Sequence, residues 1–158
     1  MTEATCVPTF ISLALRAIED PDYADVQLIR LPAQVADRLR KDPARAARDV
    51  FSVRKVPAPI KALFAVRQAA VRVIGLPASP PDVFKIVALE GSEALIAADE
   101  AHLDFRVGVA VQDNLLRVTT TVRLKGMRGR LYFAPVRLAH PIVTRAMMRA
   151  AIRRWSAE

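Results

Sequence analysis

Three polar side chains that could together form a catalytic group alternate along one predicted strand, residues 102–112. Neighbouring side chains on a strand point to opposite faces, so His102, Asp104 and Arg106 share one face and the apolar residues between them share the other. As a catalytic group, the imidazole would transfer a proton, the carboxylate would orient the ring and the guanidinium would bind an anion. The alternative, which we favour, is a hydrated convex face of the sheet with ion pairs between strands, because the apolar stripe must face the helices.

A second pair of polar side chains, Tyr132 and His140, lies in a predicted C-terminal helix. Their separation is a little over two helical turns, so both side chains fall near one face of the helix. If that face points inward, a phenol and an imidazole would enter a cavity between helix and sheet. The alternatives are that both are buried and satisfied by the backbone, or that His140 acts as an N-cap-like residue before Pro141.

Three arginines, Arg145, Arg149 and Arg153, repeat every fourth residue near the end of the same helix. Such a stripe could bind phosphate or lipid head groups. More often such a stripe is a solvated face, and basic residues near the C-terminus of a helix also interact favourably with its dipole.

The sequence lacks the residue clusters that other classes of site require. Two histidines and one cysteine, Cys6, form no clustered set of metal ligands, so we predict no metal and no cofactor. Cys6 has no histidine near it in sequence that would activate it as a nucleophile. The chain also has no phosphate-binding glycine loop and no serine nucleophile elbow.

The elements that would hold these residues differ between the two halves of the chain. In the second half, apolar and polar residues alternate with the period of two that is typical of strands. Four such runs cover residues 83–90, 93–98, 102–112 and 115–125. A two-residue hairpin turn at Asp113-Asn114 would place Asp104 opposite Arg123.

In the first half, helical spacing predominates. Residues 8–18 and 34–51 predict helices, with a strand over residues 24–31 between them. Asp42-Pro43 divides the second helix, because aspartate caps a helix well and proline is tolerated in the first turn. A further helix is predicted over residues 57–75, with a glycine at its end.

After the strands, Gly126 and Gly129 predict a turn, and residues 130–155 predict a long helix interrupted near His140-Pro141. The connections between the four strands are too short for the crossovers of a parallel sheet, so we predict antiparallel pairing. The result is one α+β domain over residues 1–158, with an antiparallel sheet wrapped around a long C-terminal helix. A ferredoxin-like sandwich fits less well, because it needs a helix between the second and third strands.

Composition narrows the classes of partner. The net charge of +8 and the pI near 10.5 suit a nucleic-acid-binding protein, but an excess of arginine and alanine also follows from a GC-rich genome. Aromatic residues make up only 6% of the chain, too few for a base-stacking platform, so we do not expect a nucleic-acid partner. No apolar run approaches the roughly 20 residues that span a bilayer, so we expect no integral membrane segment.

The N-terminal region bears on location. Cys6 is the only cysteine, so no internal disulfide can form, and the short apolar run at residues 7–15 has no basic stretch before it. These features predict a cytoplasmic protein without a signal peptide. The sequence leaves homo-oligomerisation open.

Three strings of residues carry a family resemblance: Asp22-Tyr23-Ala24-Asp25, residues 102–107 (HLDFRV), and residues 129–133 (GRLYF) followed by His140. Together they resemble a bacterial family, domain-of-unknown-function family 2867, over nearly the whole chain. The resemblance implies a helix-grip fold similar to the START and Bet v 1 group. It implies no particular reaction.

Three functions remain open at the level of sequence. The first is a binding domain for an apolar or amphipathic small molecule, because an apolar sheet face opposed by a helix with few polar groups is typical of a ligand pocket. Its predicted lining residues are Phe64, Phe84, Phe105, Tyr132, Phe133 and His140. The second is a cyclase- or hydrolase-like enzyme that uses Tyr132 and His140, or the group at residues 102–106. The third is an interaction module whose arginines meet an anionic surface or a protein partner.

Overall fold

The computed structural model describes residues 11–52, 58, 61, 75 and 84–158. The elements in chain order are α1 (Leu13–Ala17), β1 (Tyr23–Arg30), α2 (Ala33–Arg40), α3 (Pro43–Val50), β2 (Ile86–Glu90), β3 (Glu93–Asp99), β4 (Leu103–Gln112), β5 (Leu115–Leu124) and α4 (Gly126–Ser156). The helix predicted over residues 57–75, and Phe64 with it, falls outside the described residues except at residues 58, 61 and 75. Gly75 has a φ of 71°, which suits the predicted helix end.

The five strands form one antiparallel sheet in the order β1-β5-β4-β3-β2. This confirms the prediction of an α+β fold in which an antiparallel sheet is combined with a long C-terminal helix, a helix-grip-like layout. The predicted hairpin register is also confirmed, since Asp104 pairs with Arg123 and Gln112 with Leu115. Asp113 and Asn114 both have positive φ, as a two-residue turn between twisted strands requires.

One face of the sheet carries the main core. Alternate residues of β4, namely Val107, Val109 and Val111, are buried there against α2, α3 and α4. Trp155 at the end of α4 is fully buried in the same cluster and donates a hydrogen bond to Asp49 of α3. We call this surface the helix face, because α2, α3 and α4 pack on it.

The division between α2 and α3 is as predicted. The side chain of Asp42 accepts a hydrogen bond from the backbone N–H of Arg45 at 2.9 Å, and Pro43 occupies the first turn of α3. The predicted break in the helix at Asp42-Pro43 is therefore confirmed.

The other face of the sheet is partly covered by α1, and here one prediction is wrong. We expected this face to be hydrated, but Ser12 and Glu93 are buried between α1 and the sheet. Glu93 accepts hydrogen bonds from the Ser12 hydroxyl at 2.5 Å and from Arg117 at 3.0 Å. Gly108 leaves room for this group, since a Cβ there would lie 2.0 Å from Oε1 of Glu93. The prediction failed because the spacing of residues 8–18 indicates a helix but does not show which face of the sheet that helix covers.

The C-terminal helix differs from its prediction in two respects. It begins at Gly126, so Gly126 and Gly129 lie inside its first turn and do not bracket a separate turn. It also continues through Pro135 and Pro141 to Ser156 without the expected interruption. A proline removes one hydrogen bond within a helix. Buried residues on both sides of Pro141, from Phe133 to Met147, pack on the rest of the fold and hold the two halves in line.

Candidate functional site

The three residues predicted to share a polar face of β4 do not converge. His102 lies just before β4 with only 2% of its surface exposed, and its ring packs edge-on against Tyr132 at a centroid distance of 4.8 Å. Its Nε2 lies 3.4 Å from a carboxylate oxygen of Glu100. The imidazole is therefore held at one end of the sheet, among residues of α4 and the β3–β4 loop.

Asp104 and Arg106 each pair with a different residue. Asp104 lies 2.5 Å from Nζ of Lys125. Arg106 donates to Asp99 on the neighbouring strand at 2.6 Å, and this hydrogen bond lowers the pKa of the Asp99 carboxyl. These contacts are the ion pairs between strands that a structural role requires, and they leave no shared position for a substrate.

Tyr132 and His140 also belong to different groups. Tyr132 is buried with Leu103, Val122 and Phe133 at the end of the sheet that carries His102. His140 lies over the edge strand β1, where its ring meets Tyr23 edge-on at 5.7 Å. Both side chains face the sheet, but a little over two helical turns lie between them, so they contact different parts of the sheet.

The residues that do converge are Asp25 of β1 with His140 and Thr144 of α4. Nδ1 of His140 lies 3.5 Å from Oδ2 of Asp25, and Nε2 lies 3.5 Å from the hydroxyl of Thr144. A proton on Nδ1 would point toward Asp25 and leave Nε2 to accept from Thr144. We call Asp25, His140 and Thr144 the β1–α4 cluster.

Two further polar side chains support this cluster. Nε2 of Gln27 donates to both carboxylate oxygens of Asp25, at 3.0 and 3.3 Å. Arg145 donates to Oε1 of Gln27 at 3.1 Å. Asp25, Gln27 and Tyr23 all lie on the helix face of β1, since alternate residues of a strand share a face. The strand therefore sets the positions of these three side chains, and Gln27 joins Asp25 of β1 to Arg145 of α4 by hydrogen bonds.

The environment of the cluster shifts two pKa values. Burial lowers the pKa of His140, and the charge of Asp25 offsets only part of that effect. The imidazole is therefore neutral at neutral pH. Burial and the neighbouring Asp25 raise the pKa of the Tyr23 phenol, while the positive charge of Arg137 acts in the opposite direction. Tyr23 therefore keeps its proton and can donate it in a hydrogen bond.

Aromatic side chains adjoin the β1–α4 cluster. Tyr23 contacts Phe133 edge-on at 5.1 Å. Phe105 belongs to both this group and the main core, and it lies 6.1 Å from Phe84, whose ring in turn lies 5.2 Å from Phe51. Phe84 and Phe105 are only partly buried. Five of the six predicted lining residues therefore lie on the helix-covered side of the sheet. The sixth, Phe64, lies outside the described residues.

Sequence reasoning missed Asp25, Gln27 and Thr144. A usable signal was present for the first two, because they alternate with apolar Val26 and Leu28 in a strand whose inward face also holds Ile29. Thr144 follows His140 by one helical turn, so it was bound to lie near the imidazole. What the sequence could not supply was the position of β1 beneath α4.

A groove of about 540 Å³ lies elsewhere, between α2 and the C-terminal end of α4. Its lining residues are Pro32, Gln34, Val35, Arg38, Trp155, Ser156 and Glu158. Arg38 is already engaged there, by a hydrogen bond to the Trp155 carbonyl and an ion pair with Glu158 at 3.6 Å. None of the five predicted lining residues that the structure describes borders this groove. Its charged side chains bind each other, so we do not assign it a function.

In the part of the chain that the structure describes, no three or more His, Cys, Asp or Glu residues come together in a way that could hold a metal ion. In the same part, no helix is both long enough and apolar enough to cross a membrane.

Comparison with known proteins agrees with the residues that carried the resemblance. A family model described as a protein of unknown function, DUF2867, matches residues 17–147. No curated protein and no solved structure matches the chain. The likeness to the START and Bet v 1 group thus stays a prediction. The match spans β1, the whole β2–β5 meander and most of α4, and the chain belongs to the DUF2867 family.

Proposed function

We propose that the protein binds a small amphipathic molecule on the helix face of the sheet, between β1, β4 and α4. The polar group of the molecule would meet the β1–α4 cluster. Its apolar body would lie against the partly exposed rings of Tyr23, Phe105 and Phe84. A few convergent polar groups beside aromatic surface are typical of small-molecule sites.

The observation that carries the proposal is Nδ1 of His140, which is buried without a hydrogen bond of normal length. Its buried Nδ1 has no hydrogen-bond partner among the described residues, although a carboxylate oxygen of Asp25 lies 3.5 Å away. That separation is longer than a normal N–H···O hydrogen bond of about 2.9 Å. Leaving a buried polar atom unpaired costs free energy, and each such atom in a native protein calls for an explanation. A ligand hydroxyl or carboxyl that bridges Asp25 and His140 would supply the missing partner.

The surrounding contacts favour a role in binding over a role in folding. Asp25 keeps two hydrogen bonds from Gln27 whether or not the imidazole is present. His140→Phe should therefore leave the melting temperature nearly unchanged, because the carboxylate stays paired and a ring of similar shape fills the space. The polar contact to the ligand would be lost.

Mass spectrometry of small molecules extracted from the purified protein tests the proposal. The wild type and Arg48→Ala, an exposed change on α3, should release the same molecule in similar amounts. His140→Phe should release several-fold less of it. Equal amounts from all three proteins, or no molecule from any of them, would contradict the proposal.

A second candidate function is acid–base catalysis on the same molecule, and the arrangement of the β1–α4 cluster favours it over other kinds of enzyme. A carboxylate next to an imidazole that is next to a hydroxyl is the arrangement in which the carboxylate orients the base and the base activates the hydroxyl as a nucleophile. Thr144 has only 3% of its surface exposed, which makes binding the preferred function. Thr144→Val removes the hydroxyl and keeps the shape. An enzyme that uses the hydroxyl would lose turnover in this variant, and a binding protein would retain its ligand.

We propose the cytoplasm as the place of action. The lone cysteine, Cys6, supports a reducing compartment, since proteins of oxidising compartments commonly use paired cysteines. Fractionation of the native host should place the protein in the cytoplasm or at the inner surface of its membrane.

A further inference from the structure

The charge of the protein is concentrated in its last helix. The 31 residues of α4 include seven arginines and no aspartate or glutamate. The net charge of the whole chain is +8. A solvent-facing helix would ordinarily mix both signs of charge on its outer surface, so this one-sided composition marks a surface for an anionic partner.

The outer face of α4 is also apolar over its first half. Met127, Leu131, Leu138 and Ile142 are 79, 64, 73 and 70% exposed. Together with exposed Pro135 they recur every three or four residues, so they form one stripe along the helix. Contiguous apolar stripes of this kind are uncommon on surfaces that face only water.

The same face becomes basic over its second half. At about 100° per residue, Arg145, Arg149 and Arg153 continue the line of the apolar stripe. All three are exposed, and Arg128 and Arg137 flank the stripe itself. We call this surface, from Met127 to Arg153, the outer face of α4. It is opposite the side on which Phe133, His140 and Met147 meet the sheet.

From this arrangement we infer that the outer face of α4 docks on an anionic phospholipid bilayer. The exposed apolar side chains would enter the boundary between head groups and acyl chains, and Arg149 and Arg153, in line with them, would bind lipid phosphates. This is the residue pattern of helices that lie in the plane of a membrane surface. The inference goes beyond ligand binding and does not depend on it.

Charge and polarity distinguish this partner from two others. Nucleic acid would bind the arginines, but it has no apolar surface to cover Leu131, Leu138 and Ile142. A second copy of the chain would cover them, but it would bring the arginines of its own outer face close to those of the first copy, and like charges repel. A bilayer with anionic lipids offers both apolar and anionic surface, so it can cover the apolar side chains and pair with the arginines at once.

Co-sedimentation of the full chain with vesicles tests the inference. We expect the protein to bind vesicles of phosphatidylcholine with about one third phosphatidylglycerol and not vesicles of phosphatidylcholine alone. Leu138→Ser with Ile142→Ser should weaken binding at least about tenfold, because two apolar side chains leave the bilayer. Arg149→Gln with Arg153→Gln should weaken it similarly, and more so at low salt.

The controls keep the outcome decisive. Arg30→Gln with Arg48→Gln removes the same charge from exposed positions outside α4 and should leave vesicle binding within about twofold. All the substituted positions are exposed, so circular dichroism and melting temperatures should match the wild type. Absence of binding to the anionic vesicles would overturn the inference. So would unchanged binding of the serine variant, which would indicate a purely ionic partner, or a dimer in solution that the serine variant abolishes.

Discussion

The proposed site depends on His140, and two opposing effects, burial and the charge of Asp25, set the pKa of its imidazole. Burial disfavours the imidazolium and lowers the pKa, while the carboxylate of Asp25 favours it. The neutral ring can donate from one nitrogen and accept at the other, which the charged ring cannot do. A ligand that bridges Asp25 and His140 therefore needs the neutral form.

Removing the charge of Asp25 should lower the pKa of His140 further. Asp25→Asn keeps the shape of the side chain and abolishes the attraction that offsets burial. The chain has only two histidines, so the ring signals can be assigned and titrated by NMR. Asp99→Asn, a carboxylate paired with Arg106, is the control and should leave the titration of His140 as it is. A His140 pKa that rises or stays constant in Asp25→Asn would show that the two groups do not interact.

The lowered pKa also makes stability depend on pH. The unfolded imidazole titrates near 6.5 and the folded one below that value. Between the two values the unfolded state binds more protons, so the free energy of unfolding falls as pH falls below about 6.5. Urea denaturation at about pH 7.5 and about pH 5.5 should show a larger loss for the wild type than for His140→Phe. Equal losses would mean that the ring is not buried in its neutral form.

At the scale of elements, the entry of α4 is tied to the start of β4. A Cβ at Gly129 would lie 2.2 Å from the carbonyl oxygen of His102, closer than any real contact. That oxygen also accepts a hydrogen bond from the N–H of Lys125 at 2.9 Å, so it has little freedom to move. The first turn of the helix can therefore approach the sheet only where the residue has no side chain.

Gly129→Ala should destabilise the fold by about 1–3 kcal/mol, because the backbone must shift to admit the methyl group. Helix propensity alone gives the opposite sign, since alanine is favoured over glycine in a helix by roughly 1 kcal/mol. Thermal or urea denaturation measures the difference. A stabilised variant would show that the close approach to His102 is relieved without cost.

Phe105 links the two apolar clusters of the helix face, and its truncation should report on both. Because the ring is partly exposed, Phe105→Ala should cost no more than about 3 kcal/mol, the lower end of the range for buried phenylalanine. Arg153→Ala, at an exposed position, should cost under about 0.5 kcal/mol. Similar melting shifts for the two variants would contradict the assignment of faces.

Elements were predictable from sequence where their cause is local. The register of β4 and β5 follows from two turn residues, and the start of α3 follows from Asp42 and its neighbouring proline. The continuity of α4 through Pro141 was not predictable, because tertiary packing holds the helix straight there. Only part of the β1–α4 cluster could be predicted. Helical spacing places Thr144 beside His140, but the position of Asp25 depends on where the edge strand β1 lies relative to α4.

At the scale of the whole molecule, the two proposed surfaces lie on opposite sides of α4. His140, Thr144 and Phe133 face the sheet, whereas the apolar stripe and Arg149 face outward. A variant of the outer face should therefore leave the ligand site intact, and a variant of the β1–α4 cluster should leave vesicle binding intact. The two proposals can fail independently.

The central claim is that a small amphipathic molecule binds between β1 and α4, and NMR mapping of a probe tests it most directly. 1-Naphthol, which has an apolar body and one hydroxyl that can both donate to Asp25 and accept from His140, would be titrated into the isotopically labelled protein. We predict shifts of amide signals concentrated at Tyr23–Gln27 of β1 and Phe133–Thr144 of α4, and much weaker ones in His140→Phe. Shifts confined to the outer face of α4 or to the groove beside α2, or unchanged in His140→Phe, would contradict the account.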